Sequence, residues 1–60
     1  MISNYHFTAL VELDSGFDNY NQVIRASSRC EAIGCGVLIV LANPDYKNAK
    51  ILKANAIQIN

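Results

Sequence analysis

The sequence predicts a small α+β domain, an antiparallel sheet carrying one helix. Three observations predict it. Residues 5–13 alternate apolar with polar, the period of a half-buried strand. Ser28 followed by Glu31 has the spacing of a helix N-terminus. Residues 37–42 are an uninterrupted apolar run, Val37, Leu38, Ile39, Val40, Leu41 and Ala42. The chain has 60 residues, which makes one domain over 1–60, and a domain of that size buries only about 60 % of its unfolded surface. With 52 % hydrophobic and 17 % charged residues the chain is globular rather than disordered.

In the first strand, Tyr5, Phe7, Ala9, Val11 and Leu13 share one face, and His6, Thr8, Leu10 and Glu12 share the other. Asp14, Ser15 and Gly16 then supply turn chemistry, with Asp18 and Asn19 extending the loop. A second strand is expected over 20–26, joined to the first as a hairpin. Ser28 opens the helix: its hydroxyl caps the amide of Glu31, and Glu31 reaches back to the cap amide. Cys30 and Ile33 are expected to face the sheet.

Beyond that the pattern forks. In the preferred order the helix ends near Cys35 at Gly34 or Gly36, 37–42 is a third strand, 43–48 a loop and 49–59 a fourth strand, giving β-β-α-β-β. In the alternative the helix runs to Ala42 and stops at Asn43 and Pro44, giving β-β-α-β with a longer helix. Three of the five residues in 37–41 are β-branched, and each glycine inside the longer helix costs about 1 kcal/mol relative to alanine. Both facts favour the four-strand order. In the last segment Leu52, Ala54 and Ala56 share one parity while Ile57 and Ile59 take the other, so a bulge is expected near 54–57.

The run 37–42 is apolar on both strand faces, and a core this small covers one side of a sheet. The other side calls for a partner. The expectation is a homo-oligomer, with Leu38, Val40 and Ala42 at the interface. Formal net charge is zero, which permits self-association and argues against a dedicated non-specific nucleic-acid binder. The longest apolar stretch, 32–42, is eleven residues including two glycines, short of the ~20 that span a membrane. The first residues lack a secretory pattern. The chain begins with Met and reads as a small cytoplasmic open reading frame.

No residue set points to catalysis, so a non-enzymatic protein without metal or cofactor is expected. Cys30 and Cys35 stand i,i+5, about 140° apart on a helix, which separates them for a disulfide. His6 is the only other good zinc ligand. Both cysteines read as small buried hydrophobes. His6 has Thr8 beside it but no orienting acid. Asp14 and Asp18 belong to a turn and lack the spacing of a calcium loop. Gly34-x-Gly36 follows a helix, whereas a dinucleotide fingerprint opens one.

Arg25, Arg29, Tyr46, Lys47 and Lys53 are the candidate binding residues. Arg25 and Arg29 flank the helix start, where free amides favour phosphate. Tyr46 and Lys47 sit in a polar loop. Phe17 and Tyr46, both at loop tips, are expected to fold back as lids over the core, or else to contact a partner. Lys47, Lys50 and Lys53 recur every three residues, but on a regular strand Lys50 faces away from the other two. A nucleic-acid-binding module is therefore the second reading.

In element layout the chain resembles several small phage-encoded inhibitors of bacterial defence, including some anti-CRISPR proteins built from a sheet and one helix. The similarity covers element order and no residue motif. It implies an inhibitor that blocks a host protein or sequesters a signalling nucleotide. The latter would use a basic pocket between subunits, for which Arg25, Arg29 and Lys53 are available.

Overall fold

A computed structural model describes residues 1–60. The alternation of the first strand sets the architecture. Strand β1 (Ser3–Leu13) buries Tyr5, Phe7, Ala9 and Val11 on one face. It lies at the centre of a three-stranded antiparallel sheet of order β2-β1-β3, between β2 (Gly16–Ala26) and β3 (Lys50–Gln58). A single helix, α1 (Arg29–Ala42), covers the buried face and packs on all three strands. The element order is β-β-α-β, the longer-helix form of the predicted α+β fold, with a 3-10 turn (Pro44–Tyr46) between α1 and β3.

The hairpin is tighter than expected. Leu13 pairs with Gly16, leaving Asp14 and Ser15 as the loop, and register continues without interruption to Ser3 and Ala26. β2 therefore starts at Gly16 rather than near Tyr20, because the long partner strand draws the polar segment 17–19 into its ladder. Asp14 and Ser15 keep negative φ, since Asn48 is the only non-glycine residue with a positive one. Such a turn does not match the strand twist by itself. Gly16 takes up the mismatch at φ +132°, a conformation closed to side-chain-bearing residues.

The run 37–42 is helical, which corrects its assignment as a strand. The deciding signal is the i, i+4, i+8 series Ala32, Gly36 and Val40, one buried residue per turn, flanked by half-buried Ile33 and Val37. Gly36 is there for contact rather than termination. A Cβ at that position would sit within 2.5 Å of Phe7 Cγ, so the missing side chain lets the helix backbone settle on the Phe7 ring. That contact offsets the helix-propensity cost of the glycine. The helix stops where the residue before a proline must turn extended: Asn43 has φ −77° and ψ 121°. Its N–H still donates to the Val40 carbonyl at 3.1 Å, and its side chain accepts from the Asp45 amide at 2.9 Å, opening the 3-10 turn.

At the other end Ser28 is the N-cap, with Oγ accepting from the Glu31 amide at 3.1 Å. Glu31 reaches one residue further back than a capping box requires. Its carboxylate accepts from the Ser27 amide at 3.1 Å and from the Ser27 hydroxyl at 2.9 Å. The Ser27 amide, then its hydroxyl, hold the Glu31 carboxyl below the usual glutamate range, against a smaller opposing effect of desolvation. Removing the cap with Ser28→Ala is expected to cost about 1 kcal/mol. Thermal melting checks it, and an unchanged midpoint would mean that the Ser27–Glu31 pair caps the helix alone.

The predicted bulge is present, but at Leu52 rather than near 54–57. Leu10 pairs with Lys53 and Val11 with Ile51, so Leu52 is the extra residue. The skip brings Ile51, Ala54 and Ala56 to the core side. They cover Val11, Ala9 and Phe7, their cross-strand partners. Ile57 and Ile59 consequently lie on the open face, 60 % and 54 % exposed.

Candidate functional site

One face of α1 is apolar and uncovered. On a helix turning about 100° per residue, the point opposite the buried series Ala32, Gly36 and Val40 falls at Leu38. Leu38 is 68 % exposed, Leu41 60 % and Ile39 40 %. Gly34, Cys35 and Ala42 complete the outer surface, all exposed. No residue in 32–44 carries a charge. A helix that is apolar on every side is normally covered on every side, and here the sheet covers one.

This geometry divides the expected interface residues. Leu38 and Ala42 stand on the free face. Val40 is fully buried against the sheet and belongs to the core of the single chain, so it is not an interface residue. The cause is periodicity: 38, 40 and 42 share a face on a strand, but on a helix 38 and 40 diverge by about 200°. Leu41, Gly34 and Cys35 take the place of Val40 on the free face. A helical reading of the run would have found them. The cysteines are also corrected: Cys30 and Cys35 are free and exposed, not buried.

The proposed binding residues are not brought together. Arg25 pairs with Asn4 at one end of the open sheet face, and Lys53 with Leu10 toward the other. The positions are six residues apart along β1, ~20 Å at strand rise. Arg29 has a structural task. Its Nε donates to the Ala56 carbonyl at 3.0 Å and its Nη2 donates to Asn55 Oδ1 at 2.5 Å, which ties the start of α1 to β3. Tyr46 folds back as the predicted lid. Its hydroxyl donates to Asp18 Oδ2 at 2.7 Å, and its ring meets Tyr20 edge-on at 5.7 Å. The hydrogen bond to Asp18 is the main reason that its phenol is pushed above the usual tyrosine range. Phe17 does not act as a lid and stays 67 % exposed. Lys47 is exposed at the end of the 3-10 turn. The surface holds no concave pocket for these groups to share. His6, on the open face as predicted, lies 3.1 Å from Asn21 Oδ1 through Nε2.

Three outward backbone groups of the sheet edges meet side chains. The Asn4 carbonyl accepts from Ile59 N–H at 2.9 Å, so by alternation the even residues of β1 in this region point to β3 and the odd ones to β2. Asn19 and Val23 of β2, and Ala56 of β3, then turn their backbone groups to the free edges. Each meets a side chain. The Asn19 amide donates to Asp18 at 3.0 Å, and the Gln22 amide group donates to the Val23 carbonyl at 3.4 Å. Arg29 covers Ala56.

The fold and this surface define a small α+β protein with a one-sided sheet and an uncovered apolar helix. Comparison with protein-family models, with curated proteins and with solved structures found no match. No helix is long and apolar enough to cross a membrane.

Proposed function

We propose that this chain is a non-enzymatic binding protein that self-associates through the outer face of α1 and acts by occupying a partner's surface. The observation that carries the reading is the charge-free helix with Leu38 and Leu41 held outward. Covering such side chains is worth roughly 25 cal/mol per Å² of apolar surface removed from water. Zero net charge leaves little repulsion between copies. The specific form of the proposal is a phage-type inhibitor of a bacterial defence system acting in the cytoplasm, on a host protein or on a small nucleotide. It rests on element layout alone. Native mass by light scattering over a dilution series tests the self-association. A dimer or larger species that dissociates on dilution supports it, and a monomer throughout overturns it.

One observation favours the second reading, a nucleic-acid-binding module. The bulge at Leu52 restores Lys50 to the same face as Lys53, opposite Glu12 and Leu10, contrary to the parity count. Arg25 and exposed Phe17 lie on that open face too. Binding of a labelled single strand that weakens with salt and is lost in Lys53→Ala would replace the first reading with this one.

A further inference from the structure

We infer that the open face of the sheet binds single-stranded nucleic acid, with Lys50 and Lys53 on its phosphates, Phe17 stacked on a base, and Arg25 further along the strand. The inference rests on the second reading given above and names the strand class and its contacts. Self-association through α1 does not compete for this face, because the helix covers the opposite side of the sheet.

The fold separates charges that the whole-chain count cancels. The chain carries five basic and five acidic residues. Arg25, Lys50 and Lys53 stand on the open face, in register with Asn4, Glu12 and Leu10, and Glu12 is the only acid there. All three cations are exposed. The face is therefore two charges positive, and the rest of the chain two charges negative. A zero total does not cancel such a field, since charges more than a Debye length of about 8–10 Å away are largely screened.

The neutral centre of the face also suits an acceptor-rich ligand. Asn21, Thr8 and Asn55 form one row across the three strands. Arg29 donates to Asn55 Oδ1, and His6 Nε2 meets Asn21 Oδ1. Both amide oxygens are thus engaged, which leaves the two NH2 groups to donate. Base carbonyls and phosphate oxygens are acceptors of the kind such a row takes.

Shape selects a single strand. Phe17, 67 % exposed, and Lys50 flank Glu12 on the two outer strands, about 10 Å apart at sheet spacing. An exposed ring near two lysines lets an unpaired base stack while neighbouring phosphates are neutralised. A duplex hides the faces of its bases, and the one helix that could enter a groove lies on the other side of the sheet. A free nucleotide calls for a concave pocket, and the surface has none. An acidic protein surface answers the cations alone. A strand answers the cations, the ring and the donor row together.

Fluorescence anisotropy of a fluorescein-labelled oligothymidylate of about 15 nucleotides, near the upper end of single-strand site sizes, tests this on the full chain. With three phosphate contacts, log affinity is expected to fall with log salt at a slope of about −2, roughly 18-fold between about 50 and 200 mM. Phe17→Ala is expected to weaken binding at least about fivefold with that slope unchanged. The double variant Lys50→Ala, Lys53→Ala is expected to lose binding while circular dichroism shows it folded. Lys47→Ala, off the face, and Leu38→Glu, on the other side of the sheet, are expected to bind as the parent does. If Lys47→Ala weakens binding as much as the double variant, the nucleic-acid reading stands and the open-face contacts proposed here do not. Equal affinity for a duplex of the same length would overturn the choice of a single strand. No binding of either at about 50 mM salt would remove the nucleic-acid reading itself and leave the basic face to an acidic protein surface.

Discussion

Val40→Glu is expected to leave the chain unfolded, whereas Leu38→Glu, two residues away, is expected to leave it folded and monomeric. Val40 is fully buried, and the structure offers no buried polar side chain to receive a charge there. The change removes about 1.5–3 kcal/mol of apolar burial and adds the larger cost of an unpaired carboxylate in the core. A domain of this size has only roughly 3–9 kcal/mol of total stability, at about 0.05–0.15 kcal/mol per residue. Leu38 is 68 % exposed in the single chain, so a charge there stays solvated, and surface changes of this kind usually move stability by about 0.5 kcal/mol or less. In the self-associated form proposed above, the same carboxylate would be buried in the interface. Circular dichroism separates the variants by fold, and light scattering reads the mass of Leu38→Glu. If both variants unfold alike, the helical placement of 37–42 is wrong. If Leu38→Glu remains folded with the parent's concentration-dependent mass, the outer face is not the interface.

That contrast also shows where the sequence was readable. β1 was legible because it is buried on one face only, so its alternation states its register directly. The Ser28 cap was legible because its chemistry is local. The run 37–42 was not, because a segment that is apolar on every side erases the period that separates strand from helix. The decisive clue lay in the small residues: Ala32 and Gly36 stand at helical spacing from Val40, and their value depends on where the Phe7 ring lies in the folded chain. A glycine whose use is a tertiary contact looks, by propensity, like a helix end. Leu52 was missed for a related reason. Ile57 and Ile59 read as core residues out of phase, when they are exposed on the open face and the phase change lies earlier, between Ile51 and Lys53. The excess of apolar residues was legible in the sequence, but which of them the fold leaves uncovered was not. Their identity follows from the helical period. The separation of the candidate binding residues was not legible for another reason: Arg29 is committed to Ala56 and Asn55, and Tyr46 to Asp18. A polar side chain seen in sequence does not reveal whether the fold has already used it.

The paired glycines give the second large effect, and the two substitutions differ in sign. Gly34→Ala in the single chain adds a methyl into open space, with nothing within 4 Å, and removes the backbone entropy of a helical glycine. It is expected to stabilise by about 1 kcal/mol. Gly36→Ala gains the same propensity but drives its methyl into the Phe7 ring, whose Cγ would lie 2.5 Å away. Phe7 has no room to retreat, because it is fully buried in the central strand and its ring lies edge-on to Tyr20 at 6.3 Å. Overpacking of this kind costs about 1–3 kcal/mol, occasionally more, so a net loss is expected in spite of the better helix former. For a domain of this size 1 kcal/mol moves the melting midpoint by about 4–8 °C, so both shifts are measurable. Melting at low protein concentration keeps the proposed self-association out of the comparison, since Gly34 lies on the outer face of the helix. Stabilisation by both substitutions would mean that the helix does not rest on Phe7 through Gly36. Destabilisation by Gly34→Ala at that dilution would put the outer face of the helix against something in the single chain, and the surface argued for here would not be free.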